Sequence, residues 1–218
     1  MGLLIGMVGN YPGVGKDTSA RILQEQHGFV AHSFANKLYE EVAKAYAIPV
    51  EEWQRRDLKE TPQERFALRH CRNEEFQAVG MAILLREFGQ LTASEALRVL
   101  LSPRMVLRWW GTEFRRNHYG PDYFTAPVFA RVRANPEQDH CILDSRLGNE
   151  LIGIVRSGGY IGRILRPAAA PAVLSDHPSE ILARIWPEDF VIDNSGSLDR
   201  LQAQWAKQLP RLRELQAA

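Results

Sequence analysis

Residues 9–18, GNYPGVGKDT, carry the residue types that bind phosphate groups in proteins. Glycines let successive backbone N–H groups turn inward, the N-terminus of a following helix adds positive potential, and a lysine reaches a transferring phosphoryl group. Here Gly13 and Gly15 precede Lys16, and an apolar run at residues 3–8 precedes the loop. This order predicts a buried strand, a phosphate-binding loop and a helix that begins near Lys16.

Two positions of this loop depart from the usual pattern G-x-x-x-x-G-K-[ST]. Asn10 takes the place of the first glycine, and asparagine is among the non-glycine residues that best tolerate a positive φ. Asp17 takes the place of the usual hydroxyl residue, which follows one position later as Thr18. A glycine-rich turn that binds nothing is the alternative, but the whole series of residue types occurs in the expected order. We expect these residues to hold a phosphate group: Gly13, Val14, Gly15, Lys16, Asp17 and Thr18.

Asp144 is a second candidate for phosphate chemistry. It ends a short apolar run at residues 140–144. A carboxylate at the end of a strand beside a phosphate loop commonly organises Mg²⁺, whereas a turn or helix-capping aspartate is the structural alternative. We expect Thr18, Asp17 and Asp144 to supply oxygen ligands for Mg²⁺, directly or through water.

Arginines concentrate between positions 98 and 133, where seven of them accompany two acidic residues. Planar guanidinium groups suit bidentate recognition of phosphate, while a solvated helix face is the ordinary meaning of such a charge run. If residues 103–116 form one continuous α-helix, four side chains share a face: Arg104, Arg108, Thr112 and Arg115. We expect about half of these arginines to bind phosphate and the others to form a solvated face.

Aromatic side chains crowd the same segment: Trp109, Trp110, Tyr119, Tyr123 and Phe124. Aromatic rings can stack on a nucleobase, although such residues more often belong to a hydrophobic core. We expect one or two of these side chains to contact a ligand.

The elements that must position these residues follow from the hydrophobic pattern. Short apolar runs predict strands at 3–9, 29–35, 140–144, 160–166 and 190–193, alternating with helices at 16–27, 37–46, 148–157, 178–185 and 198–215. Such alternation indicates an α/β fold with a parallel sheet covered on both faces. The hydrophobic pattern of residues 49–139 predicts five further helices, at 50–57, 62–87, 93–100, 103–116 and 124–134.

One domain with an inserted helical region accounts for this pattern. We expect a core at about 1–48 and 139–218, a helical insertion at about 49–138 and a lid at about 167–186. The carboxyl ends of parallel strands meet at one edge of a sheet, so Lys16, Asp144, Arg166 and Asn194 are expected near that edge. His177 and Glu180 belong to the lid segment, where loop closure would exclude water.

Composition excludes several classes of protein. The chain has 218 residues and a formal charge of +1, from 27 basic and 26 acidic residues, which argues against a protein that wraps DNA or coats a membrane surface. Cys71 and Cys141 lack metal-type spacing, which favours a reducing compartment. The N-terminus has no basic leader region and no apolar run approaches membrane-spanning length, so we expect a cytoplasmic protein.

The combined pattern resembles the bacteriophage deoxynucleoside monophosphate kinases, within the P-loop nucleoside and nucleotide kinases. The stretches that carry this resemblance span most of the chain: GKDT at 15–18, SFA at 33–35 with Leu38, LKETP at 58–62, SPR at 102–104, WGTE at 110–113 with Arg115 and Arg116, PDY at 121–123, DSR at 144–146 with Asn149 and Glu150, Arg166 with Pro167, His177 with Ser179 and Glu180, and NSGSL at 194–198. The family resemblance accounts for Asp17, because the family has the form GKDT at this position.

The resemblance implies a three-layer α/β/α P-loop kinase with a five-stranded parallel sheet, a helical monophosphate-binding insertion and a lid. It implies transfer of the γ-phosphate of ATP to a deoxynucleoside monophosphate, with Mg²⁺, giving ADP and the diphosphate. Lys16, Asp144 and Arg146 are then catalytic, and Asn194 flanks the adenine. The acceptor is then bound by Arg104, Trp110, Glu113, Arg116, Tyr123 and Arg146.

The expected partners are small nucleotides, with no nucleic acid and no membrane, and a homodimer stays open. A phage-encoded protein of this kind would work in the host cytoplasm. The Tyr11-Pro12-Gly13 segment is closer to adenylate kinases, and Phe124 stands where the resemblance leads us to expect tryptophan, so the base preference stays open. The alternatives are a kinase of adenylate, of dephospho-coenzyme A or of a modified base in DNA, and a nucleotide-dependent switch or ATPase without an acceptor.

Overall fold

Five parallel strands form the sheet of this computed structural model, which describes residues 1–169 and 178–217. The strands are β1 (Leu4–Gly9), β2 (Val30–His32), β3 (His140–Ile142), β4 (Tyr160–Leu165) and β5 (Phe190–Asp193). Their order across the sheet is β2-β3-β1-β4-β5, and every neighbouring pair is parallel. The α/β fold with a five-stranded parallel sheet that the sequence predicts is therefore confirmed.

β1 lies at the centre of the sheet, and all six of its residues are buried. The chain places β2 and β3 on one side of β1, and β4 and β5 on the other. In open parallel sheets, ligands bind beyond the carboxyl ends of the strands where the strand order reverses. The loop at residues 10–15 follows β1 directly and therefore lies at this position.

Eleven α-helices surround or extend this frame in the described part of the chain. They are α1 (Lys16–His27), α2 (Asn36–Tyr46), α3 (Val50–Gln54), α4 (Glu74–Glu87), α5 (Ala93–Ala96), α6 (Pro103–Trp109), α7 (Asn117–Tyr119), α8 (Thr125–Ala134), α9 (Gly148–Arg156), α10 (Pro178–Ile185) and α11 (Leu198–Ala217). None of the helices described combines the length and the apolar character that crossing a lipid bilayer requires.

The chain forms two compact units, Met1–Phe34 with Thr125–Ala218, and Ala35–Phe124. We call the first the sheet unit and the second the helical unit. Helix α2, which the sequence pattern groups with the core, belongs to the helical unit, and α8 belongs to the sheet unit.

Two apolar layers cover the faces of the sheet within the sheet unit. Ile5 and Met7 pack in one layer with residues of α1 and α11, whereas Leu4 and Val8 pack in the other with residues of α8 and α9. Successive side chains of a strand point to opposite faces, so an uninterrupted apolar strand needs cover on both sides. This requirement explains the three-layer arrangement.

The helical unit has an aromatic core of its own. The side chains of Trp53, Phe66, Phe76, Trp110 and Phe114 are all essentially buried in it. The rings of Phe76 and Trp110 lie 4.6 Å apart between centroids, and those of Trp110 and Phe114 lie 5.1 Å apart. Large buried rings dominate the hydrophobic free energy of a small unit, so these residues are its main source of stability.

The expected helix at residues 62–87 is wrong in its first half. The chain there forms two short 3₁₀ turns, Glu64–Phe66 and Leu68–His70, and α4 begins only at Glu74. Asn73 is the reason, because its side-chain oxygen accepts a hydrogen bond from the Phe76 N–H at 2.8 Å. Asparagine is among the best N-cap residues, so the sequence does carry a signal for this later start.

Two histidines form a buried pair between neighbouring strands of the sheet unit. His32 Nε2 lies 3.0 Å from His140 Nδ1, and His140 Nε2 lies 3.1 Å from the Asn135 carbonyl oxygen. When His140 Nε2 donates to this carbonyl oxygen and its Nδ1 is unprotonated, Nδ1 accepts a hydrogen bond from His32 Nε2. Burial, with the charges of His140 and Arg131, lowers the pKa of His32 from 6.5 to about 4.

We therefore expect the protein to lose stability in mild acid through His32. The unfolded chain binds this proton below about pH 6.5 and the folded chain only near pH 4, so the free energy of unfolding falls between these values. From pH 7.5 to pH 5.0 the loss is about 2 kcal/mol. Urea unfolding at the two pH values measures this loss in the wild type and in His32→Gln. The glutamine amide can still donate a hydrogen bond, but it does not titrate in this range. An equal pH dependence in both proteins would contradict this assignment.

Candidate functional site

The loop at residues 10–15 has the backbone of a phosphate cradle. Gly13 and Gly15 have φ of 87° and 103°, a region that side-chain-bearing residues rarely adopt. Gly15 directly precedes α1, whose first residue is Lys16. The loop therefore delivers the chain from the buried end of β1 to a helix N-terminus, where free N–H groups and the helix dipole favour an anion.

Asn194, at the carboxyl end of β5, supports this loop from the side. Its Nδ2 donates to the Val14 carbonyl oxygen at 2.8 Å. A Cβ atom at Gly15 would lie 2.1 Å from the same Nδ2, and one at Gly9 would lie 2.5 Å from Val14 Cγ2. The family resemblance leads us to expect Asn194 beside the adenine, and in the structure its amide donates to the loop at residues 10–15.

We expect Gly15→Ala to destabilise the protein more than Gly13→Ala. Both positions have positive φ, which costs alanine about 1–2 kcal/mol. Only at Gly15 does the new methyl group also meet Asn194, whereas a Cβ atom at Gly13 would have no heavy atom of the described residues within 4 Å. The overpacking should add about 1–3 kcal/mol in urea unfolding. Equal losses of unfolding free energy in the two variants would show that Asn194 does not pack closely against Gly15.

Asp144 lies just beyond β3 and is tied to the segment after β2. Its Oδ2 accepts a hydrogen bond from Ser33 Oγ at 2.6 Å, and its Oδ1 accepts one from the Phe34 N–H at 2.9 Å. These contacts explain why β2 ends at His32, since the backbone of Phe34 bonds to a side chain instead of to β3.

The three residues expected to bind Mg²⁺ supply oxygen atoms of the right chemical type. Asp17 is exposed in the first turn of α1, and Thr18 and Asp144 are half-buried. In the part of the chain described, no three His, Cys, Asp or Glu side chains come together as a metal cage. Mg²⁺ often takes only one or two protein ligands beside phosphate oxygens, so this donor set fits it.

Arg146 follows Asp144 in the turn that leads into α9. Its backbone N–H and that of Leu147 both donate to Oε2 of Glu150, at 2.8 and 3.0 Å. Glu150 is buried in the first turn of α9, where a carboxylate also complements the helix dipole. This capping contact fixes the backbone at Arg146, whose side chain is half-buried.

The polar centre of the helical unit is Glu41, on α2, a residue that no motif in the sequence marks. Its carboxylate accepts hydrogen bonds from Trp110 Nε1 at 2.7 Å, Arg115 Nε at 2.7 Å and the Tyr123 hydroxyl at 2.6 Å. Burial pushes the pKa of Glu41 upward, but the three hydrogen bonds and the charge of Arg115 outweigh it, so the pKa lies below its usual value. Glu41 is therefore a charged hub for three donors.

Aromatic rings surround the cations of this cluster. The guanidinium of Arg115 lies 4.2 Å from the ring centre of Phe114 and 5.3 Å from that of Tyr123. Lys37 Nζ lies 3.6 Å from the Tyr123 ring centre. Burial and the Glu41 carboxylate raise the pKa of Tyr123 to about 12, so its hydroxyl stays protonated. The cluster therefore combines two cations, the Glu41 carboxylate and the rings of Phe114 and Tyr123.

The residues expected to bind a second ligand lie in different surroundings within the helical unit. Trp110 is only 1% exposed and belongs to the aromatic core. Glu113 is half-buried, and its Oε2 has no hydrogen-bond partner among the described residues. Arg116 donates to the Gly111 carbonyl oxygen at 3.3 Å and packs on Phe124, while the exposed side chain of Arg104 pairs with Glu60.

The predicted helix at 103–116 is present, but it is not α-helical throughout, because α6 ends at Trp109 and a π-helix spans Trp110–Arg116. The wider turn changes the angular spacing, so Arg115 does not share the exposed side of the other three predicted residues. Arg104 and Arg108 are exposed, whereas Arg115 bonds inward to Glu41. π-Turns are rare and often occur at functional sites.

Part of the expected lid lies outside the described residues. His177 belongs to that part, and the side chain of Glu180 is not described. The predicted helix at 178–185 is present as α10.

Comparison with known proteins finds similarity both in sequence and in structure. No protein-family model matches the sequence. A protein of Acanthamoeba polyphaga mimivirus is 26% identical over 215 residues, covering 93% of each chain, and its name provisionally describes it as a deoxynucleotide monophosphate kinase. Dephospho-CoA kinase from Campylobacter jejuni superposes with a TM-score of 0.43 at 12% identity, covering 95% of this chain and 96% of its own.

Proposed function

We propose that this protein transfers the γ-phosphoryl group of ATP to a deoxynucleoside monophosphate, with Mg²⁺, giving ADP and a deoxynucleoside diphosphate. One observation carries the proposal: a loop with two positive-φ glycines leads from the central strand of a parallel sheet into a helix whose first residue is Lys16. The mimivirus relative supports the broader part of the proposal, a nucleotide kinase.

The sheet unit is the donor-binding unit in this proposal. The backbone N–H groups of residues 13–18 bind the ATP phosphates, and Lys16 contacts the phosphoryl group that is transferred. Asn194 keeps the loop in shape through the Val14 carbonyl. Preorganised N–H donors stabilise developing charge without rearranging during the reaction, so a rigid loop favours catalysis.

Thr18, Asp17 and Asp144 are the proposed oxygen ligands of Mg²⁺. When bound with the nucleotide, the ion would neutralise charge on the phosphates. Ser33 and the Phe34 N–H orient the Asp144 carboxylate for this role. Arg146, whose backbone is fixed by Glu150, is the proposed cation for the transferring or accepting phosphate.

The helical unit is the acceptor-binding unit in this proposal. Arg104 and Arg116 are the proposed ligands of the acceptor phosphate, and Glu113 and Tyr123 the residues that shape the base and sugar pocket. Trp110 is buried, so its proposed contribution is to hold Glu41 and the ring cluster in place. A pocket wall made of ordered aromatic rings loses little entropy when a nucleotide binds.

Such a reaction needs little general-base catalysis, because the acceptor phosphate is already an anionic nucleophile. Alignment of donor and acceptor and neutralisation of charge supply most of the acceleration. The residues proposed above are cations, backbone donors and carboxylate oxygens, which are the groups that this chemistry requires.

An acceptor panel tests the proposal. Purified protein is mixed with ATP and Mg²⁺, and each candidate acceptor is added in turn: dAMP, dGMP, dCMP, dTMP, 5-hydroxymethyl-dUMP, the ribonucleotides, dephospho-coenzyme A and duplex DNA. We expect at least one deoxynucleoside monophosphate to give the diphosphate with the highest kcat/KM. A higher kcat/KM for a ribonucleotide, dephospho-coenzyme A or DNA would replace the acceptor proposed here.

A further inference from the structure

We propose that Arg163 is a positioning residue that holds the phosphate loop through Asn10, an inference that rests on the function proposed above. Arg163 lies in β4 and is 5% exposed. Its Nη1 donates to Oδ1 of Asn10 at 2.8 Å. Asn10 is the first residue of the loop, at the position where the usual pattern has glycine.

The guanidinium of Arg163 is fixed by three further acceptors near the end of α10. Nη1 also donates to the Ala183 carbonyl oxygen at 3.0 Å, Nη2 donates to that of Trp186 at 2.6 Å, and Nε pairs with Glu188 at 2.9 Å. A buried cation is stable only when it is paired and hydrogen-bonded, and carbonyl groups at a helix C-terminus favour positive charge. The charge of Arg163 is therefore satisfied without the loop.

Because these three contacts hold the guanidinium in place, the fourth contact, from Nη1 to Asn10 Oδ1, can hold the loop. The planar group presents its donors in fixed directions, so the position of Nη1 is set by the bonds at Nε and Nη2. A glycine at position 10 would offer no side chain to this donor. The departure of Asn10 from the usual pattern thus gives the loop a tether that the usual pattern lacks.

A second tether follows immediately in the chain. Tyr11 is buried, and its hydroxyl donates to the carbonyl oxygen of Arg166, just beyond β4. Asn10 and Tyr11 are thus both bound to β4 or to the residue after it, and Val14 is bound to Asn194. The loop is held at its start by β4 and near its end by the residue after β5.

These contacts lead to a prediction about which substrate is affected. Loss of the Asn10 tether would loosen the N–H groups that bind ATP, and looser donors bind an anion more weakly. The helical unit makes no use of this tether, so the KM of the acceptor should stay unchanged. A residue that only stabilised the fold would not separate the two KM values.

The test uses Asn10→Ala, Arg163→Lys and the double variant of the full chain. We expect each single variant to weaken ADP binding in calorimetry and to raise the KM of ATP by about tenfold, the effect of one charge-assisted hydrogen bond. The double variant should be no more than about threefold worse than either single variant, because both remove the same contact. Arg213→Met, which breaks an ion pair with Asp139 at the amino end of β3, is the matched control and should leave ADP binding within about twofold of wild type.

Amide hydrogen exchange separates this inference from the proposed function. In nucleotide-free protein, exchange at residues 11–16 should be faster in Asn10→Ala and Arg163→Lys than in wild type, whether or not the protein proves to be a kinase. Unchanged exchange there in folded variants, or ADP affinities that fall independently and multiply in the double variant, would overturn the positioning role. Failure of wild type to bind ADP would instead overturn the proposed function.

Discussion

Lys16→Ala should lower kcat by a factor on the order of 10²–10³ while the protein stays folded. Lys16 is the first residue of α1 and directly follows the loop proposed to bind phosphate. A lysine there stabilises negative charge that builds up on the transferring phosphoryl group, and alanine leaves that charge without its cation. Single-turnover measurements at saturating ATP and acceptor would give the change directly.

Lys207→Ala is the matched control for this prediction. Lys207 is exposed on α11, in the same unit, and its loss should leave kcat within about twofold of wild type. Circular dichroism and urea unfolding would establish that both variants fold. A Lys16→Ala protein with near-normal kcat would remove Lys16 from the reaction and the phosphate loop from the proposed site.

Glu41→Ala should destabilise the helical unit by about 3–5 kcal/mol. The side chains of Glu41 and Arg115 are only 18% and 15% exposed, and Glu41 also accepts from Trp110 and Tyr123. Alanine would leave a mostly buried cation and two other donors without their acceptor. The desolvation penalty of each of these buried groups would then no longer be offset by a hydrogen bond. Urea unfolding followed by tryptophan fluorescence measures the loss.

Glu60→Ala provides the comparison for this prediction. Glu60 also pairs with an arginine of the same unit, but the side chains of Arg104 and Glu60 are 59% and 67% exposed. Exposed ion pairs contribute less than about 1 kcal/mol, so this variant should unfold nearly as wild type does. Similar losses in the two variants would mean that the Glu41 cluster is not the polar centre of the unit.

Features with local signals were predictable from the sequence. The helix Lys16–His27 has the bounds predicted for it, because glycines flank it and each adopts the left-handed conformation that ends or begins such a helix. The five strands are apolar runs between helices, and their existence was predictable although β2 and β3 are shorter than expected. Local residue types set these elements.

Features that depend on distant partners were not predictable in this way. Asn10 looks like a tolerated substitution for glycine, and its partner Arg163 is 153 positions away. Glu41 looks like an ordinary residue of an amphipathic helix, yet its donors Trp110 and Tyr123 lie 69 and 82 positions away. A single sequence carries no pattern that joins residues at such separations.

The π-helix is a third case, with a partial signal. The sequence around it contains Gly111, and a Cβ atom there would lie 3.3 Å from Arg116 Nη1. The absence of a side chain leaves room for Arg116 to donate to the Gly111 carbonyl oxygen five residues earlier. A glycine within a helical pattern indicates a close approach, but it does not reveal which residue makes it.

The dependence of ADP formation on an acceptor tests the central claim most directly. Wild-type protein with ATP and Mg²⁺ is followed with and without a mixture of the four common deoxynucleoside monophosphates, and ADP and diphosphates are quantified together. The proposed function predicts little ADP without acceptor and one deoxynucleoside diphosphate for each ADP when acceptor is present. ADP formed at the same rate with and without acceptor, and no diphosphate product, would contradict it.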